Sequence, residues 1–172
     1  MPNHLSILGI IHTAISILAI FAALYALFID GKISPANNRG KLYVLLTAIT
    51  CVTGFPIMRF GHPTAGHTLG IVILVILPIA YFITSLKFLG RSAIYLQVFL
   101  MSFTLFLSCI PAVVETLTRL PINGPIASGP NDPIIQKGLL TLVILFTVGV
   151  IYQFVKMWSR QKHMNDQKVD LA

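Results

Sequence analysis

The chain has 172 residues, 56% of them hydrophobic and only 10% charged, with a mean hydropathy of +0.86. Soluble domains carry roughly a quarter charged residues, and here the few charges fall between long apolar runs, so the composition excludes an ordinary soluble domain. The net charge of +7 flanks those runs rather than forming a patch, which excludes a nucleic-acid face and points to the positive-inside effect.

The first apolar run follows no Lys or Arg and is too long for the core of a signal peptide, so it reads as a retained helix. That helix is expected from about Leu5 to Phe28, roughly 24 residues, enough to cross a hydrocarbon core about 30 Å thick. Gly9, His12, Ser16, Ala19 and Ala23 recur at spacings of three and four. They share one face, and small residues on one stripe admit a neighbouring helix. His12 lies on that stripe and is expected to point at protein rather than lipid.

Asp30 to Lys41 reads as a polar loop with turn residues. A short second helix is expected from about Leu42 to Met58, with Thr47, Cys51 and Gly54 on one face and Pro56 near its end. The stretch Arg59 to His67 then holds two of the five histidines and an arginine. Pro63 and Thr64 suit a helix start, so a third helix is expected from about Thr64 to Leu86, with His67 in its first turns beside Gly66 and Gly70.

After a tight basic turn, a fourth helix is expected from about Ser92 to Leu117. Along it Gln97, Met101, Thr104, Ser108, Ala112 and Glu115 form a polar-to-small stripe that is expected to face the bundle. Arg119 to Lys137, rich in Pro and Gly, reads as a surface loop or lid. A fifth helix is expected from about Gly138 to Trp158, closing one domain over residues 1–158, and a polar cytoplasmic tail occupies 159–172. Cys51 and Cys109 sit inside apolar runs and read as packing residues rather than a disulfide or redox motif.

The fold class is therefore an all-α integral membrane protein with five transmembrane helices in one bundle. With the N-terminus outside and the C-terminus cytoplasmic, the inner segments hold Lys32, Arg39, Lys41, Lys87, Arg91, Lys156, Arg160, Lys162 and Lys168, against Arg59, Arg119 and Lys137 outside. That asymmetry sets the orientation. A bacterial inner membrane is the expected location, with the lipid bilayer as partner and no nucleic acid. All five tyrosines then fall toward the inner helix ends and read as an interfacial belt.

The same orientation gathers His4, His12, Arg59, His62, His67, Glu115, Arg119 and Asp132 in or near the outer half. Ionisable groups at membrane depth are functional hypotheses by default. Each also has a plain reading. His12 bonds a neighbouring carbonyl, Glu115 pairs with Arg119 one turn on, and the arginines meet lipid headgroups.

Three functional readings combine them. The first is a redox or haem b site, with His12 and His67 as axial ligands, glycines making room for the porphyrin, and Arg59 and Arg119 on its propionates. The lack of a histidine pair in the inner half excludes a two-haem relay. The second is a single transition metal held by His12, His67 and Glu115, although no HExxH-type spacing is present. The third is a proton- or ion-coupled transporter or channel subunit, in which His12 and Glu115 titrate and the fourth-helix stripe is the path. Five helices without an internal repeat would then need a homo-oligomer. The redox reading is taken first because glycines flank its histidines, and it implies an electron-transfer partner. A chain with no cofactor, serving an accessory or structural role, fits the same residues. No phosphate-binding Gly-rich loop, GxSxG elbow or voltage-sensor arginine series is present.

Overall fold

The structure, a computed structural model, describes residues 6–57, 61–119 and 124–169, with side chains described as far as Lys162. The described residues are helical and contain no strand: α1 (Ile7–Asp30), α2 (Asn38–Gly54), α3 (Ala65–Phe82), α4 (Ser92–Arg119) and α5 (Pro133–Val169). Two single 3-10 turns, Ile83–Ser85 and Lys87–Leu89, join α3 to α4. Four segments are long and apolar enough to cross a membrane: Ile7–Asp30, Ala65–Ser85, Ser92–Arg119 and Pro133–Lys162. Helix α2 has 17 residues and reaches only about 25 Å, so it stands apart from those four.

The helix boundaries follow from their caps. Ser6 Oγ accepts from the Gly9 amide at 3.1 Å and starts α1. Gly31, at φ 71°, ends α1 in the left-handed conformation, its amide bonded to the Leu27 carbonyl. Asn37 Oδ1 accepts from Gly40 N at 2.8 Å, so α2 begins one turn before the expected Leu42 and ends at Gly54 rather than Met58, which lies outside the described residues. The connecting loop folds tightly over this start. A Cβ on Gly40 would fall 1.9 Å from the Ser34 carbonyl oxygen, a position only glycine can take. Arg39 then clamps Asp30 at the end of α1 through two bonds of 2.9 and 2.7 Å.

Helix α5 differs most from expectation. It starts at Pro133 rather than Gly138 and continues through the polar tail to Val169. Asp132 Oδ1 accepts from the Ile134 amide at 3.0 Å, while Pro133, lacking an N–H, occupies the first helical position at no hydrogen-bond cost.

Consecutive helices pack side by side, most extensively α1 on α2. Gly9, Ala19, Ala23 and Ala26 are buried along the expected small-residue face of α1, with His12 and Ser16 half-buried between them. Ala23, Tyr43, Leu77, Ala80 and Met101 belong to the central core. Phe146 of α5 inserts among Phe99, Phe103 and Phe106 of α4, with ring centroids 4.9–5.9 Å apart. The outward surface of α5 carries exposed Leu140, Ile144, Val148 and Ile151.

Candidate functional site at the end of helix α2

His12 and His67 come from different helices and close on the last residues of α2. The His12 imidazole fills the space that Gly54 leaves open. A Cβ on Gly54 would sit 3.1 Å from His12 Cε1. Nδ1 of His12 lies 3.2 Å from Thr53 Oγ1, whose own proton goes to the Ile49 carbonyl at 2.8 Å. The hydroxyl oxygen is thus the acceptor and His12 Nδ1–H the donor, and the imidazole has a further hydrogen bond with the Thr50 backbone.

His67 is held the other way round. It is the third residue of α3, and the Thr64 amide donates to its Nδ1 at 3.0 Å. This is a capping box in which imidazole replaces the usual Glu or Gln. Its Nε2–H therefore donates to the Phe55 carbonyl at 3.2 Å. Both ring nitrogens of His67 are engaged with the backbone. Phe55 and Cys51 line the space beside Gly70, so that glycine serves helix packing here.

Glu115 and Arg119 form an ion pair one turn apart near the end of α4. The Glu115 side chain is half exposed, at 50%. The α4 stripe is buried from Gln97 to Thr104, but Ser108 and Ala112 are half-buried and Glu115 emerges, so its last turns leave the bundle. His62 is exposed, with Nδ1 3.0 Å from the Pro63 carbonyl oxygen. Arg59 and His4 lie outside the described residues. Among the described residues no group of three His, Cys, Asp or Glu side chains that could hold a metal is found.

The structure gives partners to Tyr43 and to the stripe of α4, and adds Thr50 and Thr53 of α2 to them. Tyr43 is fully buried rather than part of an interfacial belt, and its hydroxyl lies 2.9 Å from Thr104 Oγ1. Thr104 spends its proton on the Met101 carbonyl at 2.8 Å, so Tyr43 is the donor. Ser108 stacks above, donating to the Thr104 carbonyl. One turn along α2, the Thr47 hydroxyl oxygen is buried beside the Tyr43 hydroxyl, and the Thr50 hydroxyl oxygen is buried with no hydrogen-bond partner among the described residues. Tyr43, Thr47, Thr50 and Thr53 thus recur at helical spacing along α2, with Thr104 of α4 bonded at the Tyr43 end and His12 of α1 bonded at the Thr53 end. The visible sign in the sequence was the spacing of Tyr43, Thr47, Thr50 and Thr53 by threes and fours.

The models of known protein families, the curated proteins and the solved structures yield no match to this chain. The site is therefore interpreted on its geometry.

Proposed function

We propose that this chain is a five-helix membrane protein, N-terminus outside, that carries protons or a coupled ion through His12 and the hydroxyl track along α2. The charge asymmetry along the sequence supports the orientation. The outward face of α2 supports a fifth crossing: Leu42, Leu45, Ile49 and Val52 are all exposed at helical spacing, a surface that suits lipid.

The observation that carries the functional reading is the buried pair of hydroxyls on Thr47 and Thr50, the second without a partner among the described residues. An unsatisfied hydroxyl costs about 1–3 kcal/mol relative to a satisfied one, a cost that a purely structural helix face avoids with Val or Ala. A hydroxyl both donates and accepts, so waters bridging these hydroxyls would complete a path for a proton. His12 sits at one end of that path, and histidine is the side chain that ordinarily gains and loses a proton near neutral pH.

A second reading rests on a separate observation. The Nδ1–H bond to Thr53 orients the His12 imidazole, which is how ligating histidines are held. A haem b or a single transition metal in a redox role would take its Nε2. His67 would have to surrender its Thr64 or Phe55 bond to join it.

The test is proton flux into liposomes holding the purified protein and a trapped pH-sensitive dye, with a visible spectrum and metal content from the same sample. The carrier reading expects dissipation of an imposed pH gradient, lost in His12→Gln and Thr47→Val. Equal flux in both variants and the unaltered protein would overturn it. A Soret band that sharpens on reduction, or stoichiometric metal, absent from His12→Ala, would establish the second reading instead.

A further inference from the structure

The opposite end of the bundle carries a cavity that the hydroxyl track does not use. It is a half-open pocket of about 190 Å³ bordered by Gly31, Lys32, Gln153, Lys156 and Arg160. Lys32 comes from the loop after α1. Lys156 and Arg160 lie one turn apart on α5.

The adjoining carboxylate offsets them only in part, acting on Lys32 across space without an ion pair. Asp30 also borders the cavity, but Arg39 clamps it through both oxygens and Asn37 adds a third bond at 2.9 Å. Among the described residues no carboxylate pairs with Lys32, Lys156 or Arg160. Lys156 lies beside the end of α1, since a Cβ on Gly31 would lie 3.2 Å from its Nζ. Its ammonium also donates to the Tyr152 hydroxyl at 3.3 Å. Gln153 is buried, and its carboxamide oxygen already accepts from Ser102 at 3.1 Å. Its remaining hydrogen-bonding capacity is the NH2 group, a further donor. Three cations and an amide donor around one cavity, with the one nearby acid already satisfied, are suited to an anion.

The position narrows its chemistry. Tyr25, Tyr152 and Trp158 are exposed on α1 and α5 near this end, as aromatic side chains are at the headgroup level of a bilayer. We infer that this cavity is a binding site for a phosphate group, supplied either by the headgroup of an anionic phospholipid or by free phosphate. The inference shares only the membrane placement with the proton-carrier reading, and each stands or falls without the other.

The experiment is thermal unfolding of the delipidated full chain in neutral detergent. It is titrated separately with phosphatidylglycerol, with phosphatidylcholine and with inorganic phosphate. The expected result is an upward shift in Tm, saturable in phosphatidylglycerol or phosphate and absent with phosphatidylcholine. Lys32→Gln and Arg160→Gln should each weaken the apparent affinity about tenfold, as loss of a charge-assisted contact does. The Tm of each variant without added anion is the baseline from which its shift is read. A response to phosphatidylglycerol alone assigns the site to a headgroup, and a response to phosphate as well assigns it to the phosphate group itself. Equal shifts with all three additives, or an undiminished response in the Lys32→Gln, Arg160→Gln double variant, would overturn the inference.

Discussion

His12 and His67 hold the same end of α2 through opposite ring nitrogens. His12 donates from Nδ1 to Thr53 Oγ1 at 3.2 Å, and His67 donates from Nε2 to the Phe55 carbonyl at 3.2 Å. The difference comes from what each nitrogen faces. A backbone N–H, which can only donate, meets His67 Nδ1, whereas a hydroxyl whose proton is already spent meets His12 Nδ1. The His12 imidazole has a further hydrogen bond with the Thr50 backbone. The two histidines look alike in sequence, but their chemistry diverges in the fold.

His67 accordingly reads as a structural cap. Replacing it with Ala removes the bond to the Thr64 amide and the bond to Phe55, and should cost about 1–2 kcal/mol of stability. Gln at this position keeps an acceptor for the Thr64 amide and should recover most of that loss. Unfolding in detergent measures both. A His67→Ala variant as stable as the unaltered protein would show that the capping box contributes nothing.

The Thr50 hydroxyl separates a working track from an ordinary core. Thr50→Val removes a buried oxygen that has no partner among the described residues, so it should stabilise the chain by about 1 kcal/mol. Tyr43→Phe removes a donor to Thr104 and should destabilise it by a similar amount. Changes of opposite sign at these two residues of α2 would confirm that Thr50 is not held for stability. Destabilisation by Thr50→Val would mean that its hydroxyl has a partner.

Much of this was legible in the residues, and the exceptions have physical causes. The α1 stripe was visible because glycine and alanine at helical spacing have one use in lipid, and they are buried as expected. Tyr43 was misread as interfacial because α2 was started at Leu42. The Asn37 cap moves the start back, which puts Tyr43 a full turn inside the helix. The His67 box was hidden because its usual signature carries Glu or Gln at that position. The start of α5 was hidden in a Pro-rich stretch, where Asp132 and Pro133 looked like loop residues yet cap the helix. The candidate site was legible only as a region. Which nitrogen faces which group depends on three helices meeting, and no spacing within one helix encodes that.

Gly40 offers a test of the close approach between α2 and the loop before it. A methyl group there would overlap the Ser34 carbonyl oxygen, at 1.9 Å, so Gly40→Ala must displace backbone. Overpacking of this kind costs about 1–3 kcal/mol, against a gain of about 1 kcal/mol in helix propensity. The net effect should be a loss of stability, with weaker amide protection in residues 31–40. A Cβ on Gly61 would meet nothing within 4 Å among the described residues, so at its positive φ of 71° backbone conformation sets the limit there. Hydrogen exchange distinguishes the two, since only Gly40→Ala should loosen the Asp30–Arg39 clamp.

The cap on α5 should respond to acid. The Ser128 amide, the Ile134 amide and the Ser128 hydroxyl all donate to Asp132 and hold its carboxyl below its ordinary value of 3.8. Because the folded value is the lower one, this contribution is fully present above the ordinary value. It fades as pH falls below 3.8 and through the folded value. The segment 124–135 should therefore be protected at neutral pH and become susceptible to an acid-active protease, such as pepsin, only below about pH 4. Asp132→Asn keeps an oxygen acceptor, but its charge no longer depends on pH. It should weaken the cap somewhat at neutral pH and flatten the acid response. An acid response as steep in Asp132→Asn as in the unaltered chain would place the titrating group elsewhere.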